Sequence, residues 1–165
     1  MDTGKLITFE GIDGAGKTTQ LKLLAAALRE RGCRVETIRE PGGTVLSEKI
    51  RDLLLDARNE GVSPATEALL YAAARAQLVF EVLNPLLAKG TIVLADRFTD
   101  STLAYQGYGR GMDIDQLRQL NRLATGGLEP DLTLLLDISP AAASARKSGE
   151  SPDRLEQEGL LFQEQ

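Results

Sequence analysis

The chain has 165 residues, 42% of them apolar, which is enough for one domain around one core. Its formal net charge of −5 is the wrong sign for a nucleic-acid binder, and a single cysteine, Cys33, leaves no partner for an intramolecular disulfide. Histidine is absent, so Ser-His and Cys-His nucleophile pairs are excluded and any chemistry must run on Asp, Lys, Arg and bound ions.

LITFE (6–10) is a short β-leaning run that stops at Gly11, and KTTQLKLLAAALRERG places Leu21, Leu24, Ala25 and Leu28 at helical spacing up to a closing Gly32. RVETI (34–38) predicts a second strand, ending in the loop REPGGT, and a short helix then carries Leu46, Ile50, Leu53 and Leu54 on one face. Ser63-Pro64 is an N-cap and N1 pair that opens a long helix to about Leu83, where Asn84-Pro85 should bend or interrupt it. TIVLAD (91–96) and DLTLLLDIS (131–139) read as strands buried on both faces. Between them, glycines 107, 109 and 111 predict a bent, close-packed loop, and Asp113 with Gln116 resembles a capping box for a helix ending near Gly126-Gly127. KSGESPD (147–153) is a loop, and RLEQEGLLFQEQ reads as the start of a helix. Strands alternating with helices predict a three-layer α/β/α fold with a parallel sheet, as one domain over 1–165. No run is long and apolar enough to cross a membrane and no secretory pattern opens the chain, so the cytoplasm and no membrane partner are expected.

Gly11-Ile12-Asp13-Gly14-Ala15-Gly16-Lys17-Thr18 fits the phosphate-loop pattern G-x-x-x-x-G-K-[ST], with Thr19 following. Glycines let backbone N–H groups close around a β-phosphate, Lys17 reaches the β- and γ-phosphates, and the Thr18 hydroxyl can ligate Mg²⁺. The competing reading is a chance match in a turn, but a strand before and an amphipathic helix after are the context the motif needs. Loops at the carboxyl ends of such strands converge on one crevice. Arg39 ends the second strand and Asp96-Arg97 end TIVLAD; Asp96 is placed like a Walker-B acid that shares Mg²⁺ with Thr18, and Arg97 would face the gap between donor and acceptor. Either arginine could instead sit in a surface ion pair. Tyr71 and Arg75 share a helical face, as do Ser101 and Tyr105, and for both pairs contact with a base and ordinary packing remain open.

FEGIDGAGKTTQ (9–20), REPGGT (39–44), AAARAQL (72–78), ADRFTDSTLAYQGYGRG (95–111), then PDLTLLLDI and DRLEQE, together resemble thymidylate kinase, a nucleoside monophosphate kinase of the P-loop NTPase type. The resemblance implies transfer of the γ-phosphate of Mg-ATP to dTMP, with Lys17, Arg97, Asp13 and Arg146 as catalytic groups and no general base. It implies that Arg39, Arg75 and Arg97 hold the dTMP phosphate or thymine and that Tyr71, where the family more often has Phe, stacks on thymine. Ser101 and Gln106 would lie near the base, Tyr105 would crowd the 2′ position, and Asp13 would face the 3′-hydroxyl or a phosphate-bound water. With Gly14 and Ala15 in the loop, the transition-state arginine must come from a lid over about 146–154, where Arg146 is preferred to Lys147 and Arg154. A homodimer through the long helices is implied as well. Family members continue through a further helix, a fifth strand and a last helix, so the domain is expected to lack its last strand and helix. Another nucleoside monophosphate as acceptor, or an ATP-binding but inactive truncated form, are the competing functions. A GTPase-like switch would need an Asn-Lys-x-Asp segment, which the sequence lacks.

Overall fold

The sheet is built from β1 (Lys5–Glu10), β2 (Val35–Arg39), β3 (Ile92–Asp96) and β4 (Leu132–Leu135), all parallel, in the order β2-β3-β1-β4. The computed structural model describes residues 4–59 and 61–146. Helix α1 (Lys17–Glu30) links β1 to β2; α2 (Val45–Leu55), α3 (Pro64–Leu78) and α4 (Asn84–Ala88) link β2 to β3. Then α5 (Thr99–Thr102) and α6 (Ile114–Thr125) lead to β4, and α7 (Pro140–Arg146) follows.

Strand alternation sorts the core onto two faces. Phe9 and Leu94 pack with Leu21 and Ala25 of α1 on one side, while Leu6, Val93 and Ala95 pack with Leu78 and Leu83 on the other. The sheet is therefore covered on both faces through its central strands, giving the expected three layers. Register aligns the carboxyl ends: Asp96 pairs with Phe9 of β1 and with Arg39 of β2. One rung further, Arg97 donates its N–H to the Phe9 carbonyl at 3.0 Å and Glu40 donates to the Asp96 carbonyl at 3.0 Å. The loops that follow β1, β2 and β3 thus start side by side.

The α-helix is interrupted just before Asn84-Pro85, by a π-helical turn and not by a break: Val79–Leu83 form that turn, closed by the Asn84 N–H on the Val79 carbonyl, and the chain runs on into α4. Widening the turn shifts the ladder by one residue, so the N–H that Pro85 lacks falls where a bond is not required. Residues 103–109 form a second π-helical turn rather than a loop. Gly107 is close-packed as expected, since a Cβ there would lie 2.4 Å from the Ile114 side chain. Finally, among the described residues β4 pairs only with β1, at the edge of the sheet, leaving Leu132 and Leu135 exposed where burial on both faces was expected. Asp113 caps α6 by accepting the Gln116 N–H at 2.8 Å. The predicted lid beyond Arg146, with Lys147 and Arg154, and the helix expected over 154–165 lie outside the described residues.

Candidate active site

Residues 11–16 turn sharply between β1 and α1, with Gly11, Gly14 and Gly16 all at positive φ. At Gly14 the need is steric as well, because a Cβ would stand 2.6 Å from the Ala143 carbonyl oxygen. The turn delivers Lys17 as the first residue of α1, buried, with its Nζ donating to the Ile12 carbonyl at 2.9 Å and lying 3.6 Å from Asp13. Burial, and then the nearby Arg97 charge, pull the Lys17 pKa below the usual lysine range. Asp13 to Thr19 line an open groove together with Asp96 and Arg146. Gly11 and Ile12 do not line it; they shape the turn and hold Lys17. Across the groove the Thr18 hydroxyl donates to Asp96 at 2.5 Å. Arg146, at the end of α7, reaches the carbonyls of Gly14 and Ala15 at 3.3 and 3.4 Å, so the arginine chosen from the sequence does stand over the phosphate loop.

A second cavity opens on the other side of Asp13, which lines both. Arg97 divides them. Its backbone is left-handed, φ 72°, so it turns away from its neighbour: Asp96 faces Thr18, while Arg97 faces the second cavity. There its guanidinium donates to Asp13 at 2.8 Å, Ser101 at 3.0 Å and the Tyr105 hydroxyl at 3.1 Å. Burial opposes its charge, but Tyr105 and Asp13 outweigh burial and raise its pKa further. The π-helical turn puts the Tyr105 ring beneath the guanidinium, 5.1 Å from centroid to carbon.

Tyr71, Arg75 and Gln106 line this cavity too, so α3, α5 and the second π-helical turn all converge on it. Arg75 is buried and heavily engaged, donating to Glu40 at 2.7 Å, Asn121 at 2.6 Å, Thr102 at 3.0 Å and the Phe98 carbonyl at 3.0 Å. Ser101 accepts from Arg97 and donates its proton to Glu10 at 2.6 Å, so its hydroxyl is already committed on both sides.

Arg39 is not among the residues that line this cavity; its guanidinium pairs with Glu48 at 2.8 Å and donates to the Pro41 carbonyl at 3.0 Å, at the cavity's edge. Arg51 stands at the cavity instead, held by the Pro41 carbonyl at 3.0 Å. It shares a helical face with Leu55, another lining residue, and that i, i+4 pair was the available signal. Two buried carboxylates were also missed. Glu10 accepts the Phe98 N–H at 2.8 Å as well as Ser101, pinning the turn that carries Arg97, and burial raises its pKa. Glu40 is pushed up to about 7 by burial, against the pull of Arg75, and one of its oxygens has no partner.

Two adjoining pockets, one rimmed by a phosphate loop and the other lined with guanidinium and aromatic groups, suit a donor triphosphate beside an acceptor phosphate. Residues 9–165 match the family model described as thymidylate kinase. The chain belongs to the thymidylate kinase family. It is 59% identical to the thymidylate kinase of Desulforudis audaxviator over 161 residues, covering 97% of this chain and 73% of that one. The Geobacter sulfurreducens enzyme is 54% identical over 98% of this chain and 79% of its own. The crystal structure of thymidylate kinase from Ehrlichia chaffeensis superposes with a TM-score of 0.78 at 42% identity, covering 87% of this chain and 82% of that one.

Proposed function

We propose that this chain moves the γ-phosphoryl group of ATP onto the 5′-phosphate of dTMP, giving dTDP and ADP, with the phosphate-loop groove holding ATP and the Arg97 cavity holding dTMP. The observation that carries the reading is the Asp96-Arg97 step, which puts one residue in each pocket. Transfer of this kind depends on position and charge neutralisation more than on covalent help. A phosphate oxygen of dTMP, ionised at neutral pH, attacks in line, and no base is needed. Lys17 binds the β- and γ-oxygens, Arg97 bridges the incoming and transferred groups, and Arg146 adds a third cation from the far side of the loop. One oxygen of Asp13, Oδ1, accepts from Arg97 at 2.8 Å and lies 3.6 Å from Lys17 Nζ, so the two cations share one anchor.

Thr18 and Asp96 offer hard oxygen donors 2.5 Å apart beside the loop, which fits Mg²⁺. Among the described residues no cluster of three acidic or thiolate ligands exists, consistent with an ion that takes its remaining ligands from phosphate and water. Mg²⁺ there would neutralise charge on the β- and γ-oxygens. Tyr71 stacks on the base and Tyr105 stands where a 2′-hydroxyl would project. Arg39 is dropped from the acceptor set and Arg51 replaces it.

A homodimer is part of the same proposal, supported by exposed Leu53 on α2, Leu69 on α3 and Phe80 on the π-helical turn that continues α3. Sedimentation equilibrium returning a monomer at micromolar concentration would remove it. No helix among the described residues is long and apolar enough to cross a membrane, and we place the reaction in the cytoplasm. The deciding experiment follows ADP release from Mg-ATP with dTMP, dUMP, UMP, CMP, AMP and GMP offered separately. Release that depends on dTMP and stays near background with ribonucleotides is expected. Intact ATP binding with no release for any acceptor would favour the competing reading of an inactive nucleotide-binding form.

A further inference from the structure

Gln106 is nearly fully buried, yet its side chain lines the acceptor cavity. Its amide could face that cavity in either of two ways, related by a half-turn that exchanges oxygen for nitrogen. The choice decides what the cavity can read. Thymine and uracil present C=O, N3–H, C=O along one edge; a carboxamide matches N3–H and one carbonyl with its Oε1 and Nε2. Cytosine presents O2, N3 and an exocyclic amine, and the flipped carboxamide would match N3 and the amine equally well. A freely turning Gln106 would therefore accept both bases.

It does not turn freely. Glu67, in the first turn of α3 and fully buried, accepts from Gln106 Nε2 at 2.8 Å. The same carboxylate accepts from Arg110 Nε at 3.3 Å and Nη2 at 3.2 Å. An ionised carboxylate has no proton to give, so it can hold Nε2 and can only repel Oε1. Three N–H groups face it: Gln106 Nε2 and Arg110 Nε on one oxygen and Arg110 Nη2 on the other. Among the described residues no donor is bonded to Gln106 Oε1, which is left as the acceptor available to a ligand.

We propose that Glu67 is a positioning residue that fixes the polarity of the Gln106 amide, so that the cavity takes bases carrying an N3–H and rejects cytosine. The inference rests on the assignment of this cavity to the acceptor nucleotide. Arg75, a donor-only group in the same cavity, works in the same direction by favouring a ring carbonyl over an amine. Loss of the Glu67 clamp alone therefore relaxes the discrimination rather than reversing it.

The test compares kcat/KM for dUMP and dCMP, which both lack the thymine methyl and differ in their base-pairing edge. Wild type should prefer dUMP strongly. Glu67→Gln supplies an amide that can donate to Gln106 Oε1, which permits the flip, and the dUMP-to-dCMP ratio should fall roughly tenfold or more, chiefly through a lower KM for dCMP. A ratio unchanged in a folded Glu67→Gln protein would overturn the proposal. Should that variant fail to fold, Gln106→Leu leaves Glu67 paired with Arg110 and removes the amide. Its ratio should fall as well, and a ratio equal to wild type would sink the idea. Wild type that phosphorylates dTMP but treats dCMP like dUMP refutes this inference alone, whereas wild type inactive on dTMP refutes the acceptor assignment itself.

Discussion

The two pockets meet at Asp13 but are made differently. The phosphate groove is lined by one continuous stretch of chain, Asp13 to Gln20, joined by two residues from elsewhere, Asp96 and Arg146. The second cavity is made of side chains drawn from the loops after β1, β2 and β3, from α2, α3 and α5, and from a π-helical turn, most of them already bonded to one another before any ligand arrives. A phosphate is recognised by N–H groups that every residue carries, so the chain needs only the right turn. A nucleoside has a particular edge and shape, and matching it takes particular side chains held in fixed orientations. The first pocket tolerates exchange of side chains but not of backbone; the second has the opposite sensitivity.

That contrast can be broken most forcefully at Arg97, where the pockets touch. Arg97→Ala should lower kcat by about 10³, on the scale of losing one preorganised charge donor, while ATP binding stays within a few fold. Steady-state turnover with dTMP and a fluorescent-nucleotide titration would check both halves, and turnover within a few fold of wild type would refute the assignment.

Next in size is Glu40, whose burial and ion pair pull in opposite directions. Its carboxyl receives a single N–H from Arg75 on one oxygen and nothing on the other, so burial prevails and its pKa stands at about 7 against an ordinary 4.5. A folded-state pKa above the unfolded value means the folded state binds the extra proton. The stabilisation is complete below pH 4.5 and is lost as pH rises through 7. Over that window wild type should lose about 3 kcal/mol relative to Glu40→Gln. Glu10 shifts in the same sense and its charge pushes Glu40 further up, so the difference reads Glu40 together with its coupling to Glu10. Urea unfolding at pH 5, 6, 7 and 8 reads it, and parallel pH slopes would show a carboxylate kept ionised by Arg75.

The smallest effect belongs to the backbone pocket. Gly14→Ala meets both a positive φ of 84° and the Ala143 carbonyl, a strain of about 1–3 kcal/mol. It should raise KM for ATP roughly ten- to a hundredfold while leaving dTMP binding unchanged. An equal loss for both substrates would mean the pockets are not separable in this way.

The same contrast explains how much could be read in advance. The phosphate loop, the parallel three-layer fold and the Asp96-Arg97 step are local in sequence, and each was visible as strand, glycine turn or strand end. Glu10, Glu40 and Glu67 were invisible, because an isolated glutamate resembles a solvated charge. Their partners lie 88, 35 and 39 residues away, at Phe98, Arg75 and Gln106. The placement of Arg39 was not legible for a related reason: ending a strand does not determine which partners the guanidinium takes, here Glu48 and the Pro41 carbonyl. The two π-helical turns escaped because an extra residue per turn leaves no mark in apolar spacing. Edge exposure of β4 depends on its neighbours and not on its own composition, which is as apolar as that of β3.

Consecutive α-carbons stand about 3.8 Å apart, and that single peptide unit separates Asp96 from Arg97. The chain thus carries a covalent ruler between the two pockets, set by bond lengths rather than by packing or by the closing of any loop. Thermal motion that loosens the helices moves both ends of the ruler together. The α-carbons that carry the carboxylate beside Thr18 and the guanidinium of the second cavity therefore keep a spacing that no packing change can alter, while Gln106 lies on a separate segment.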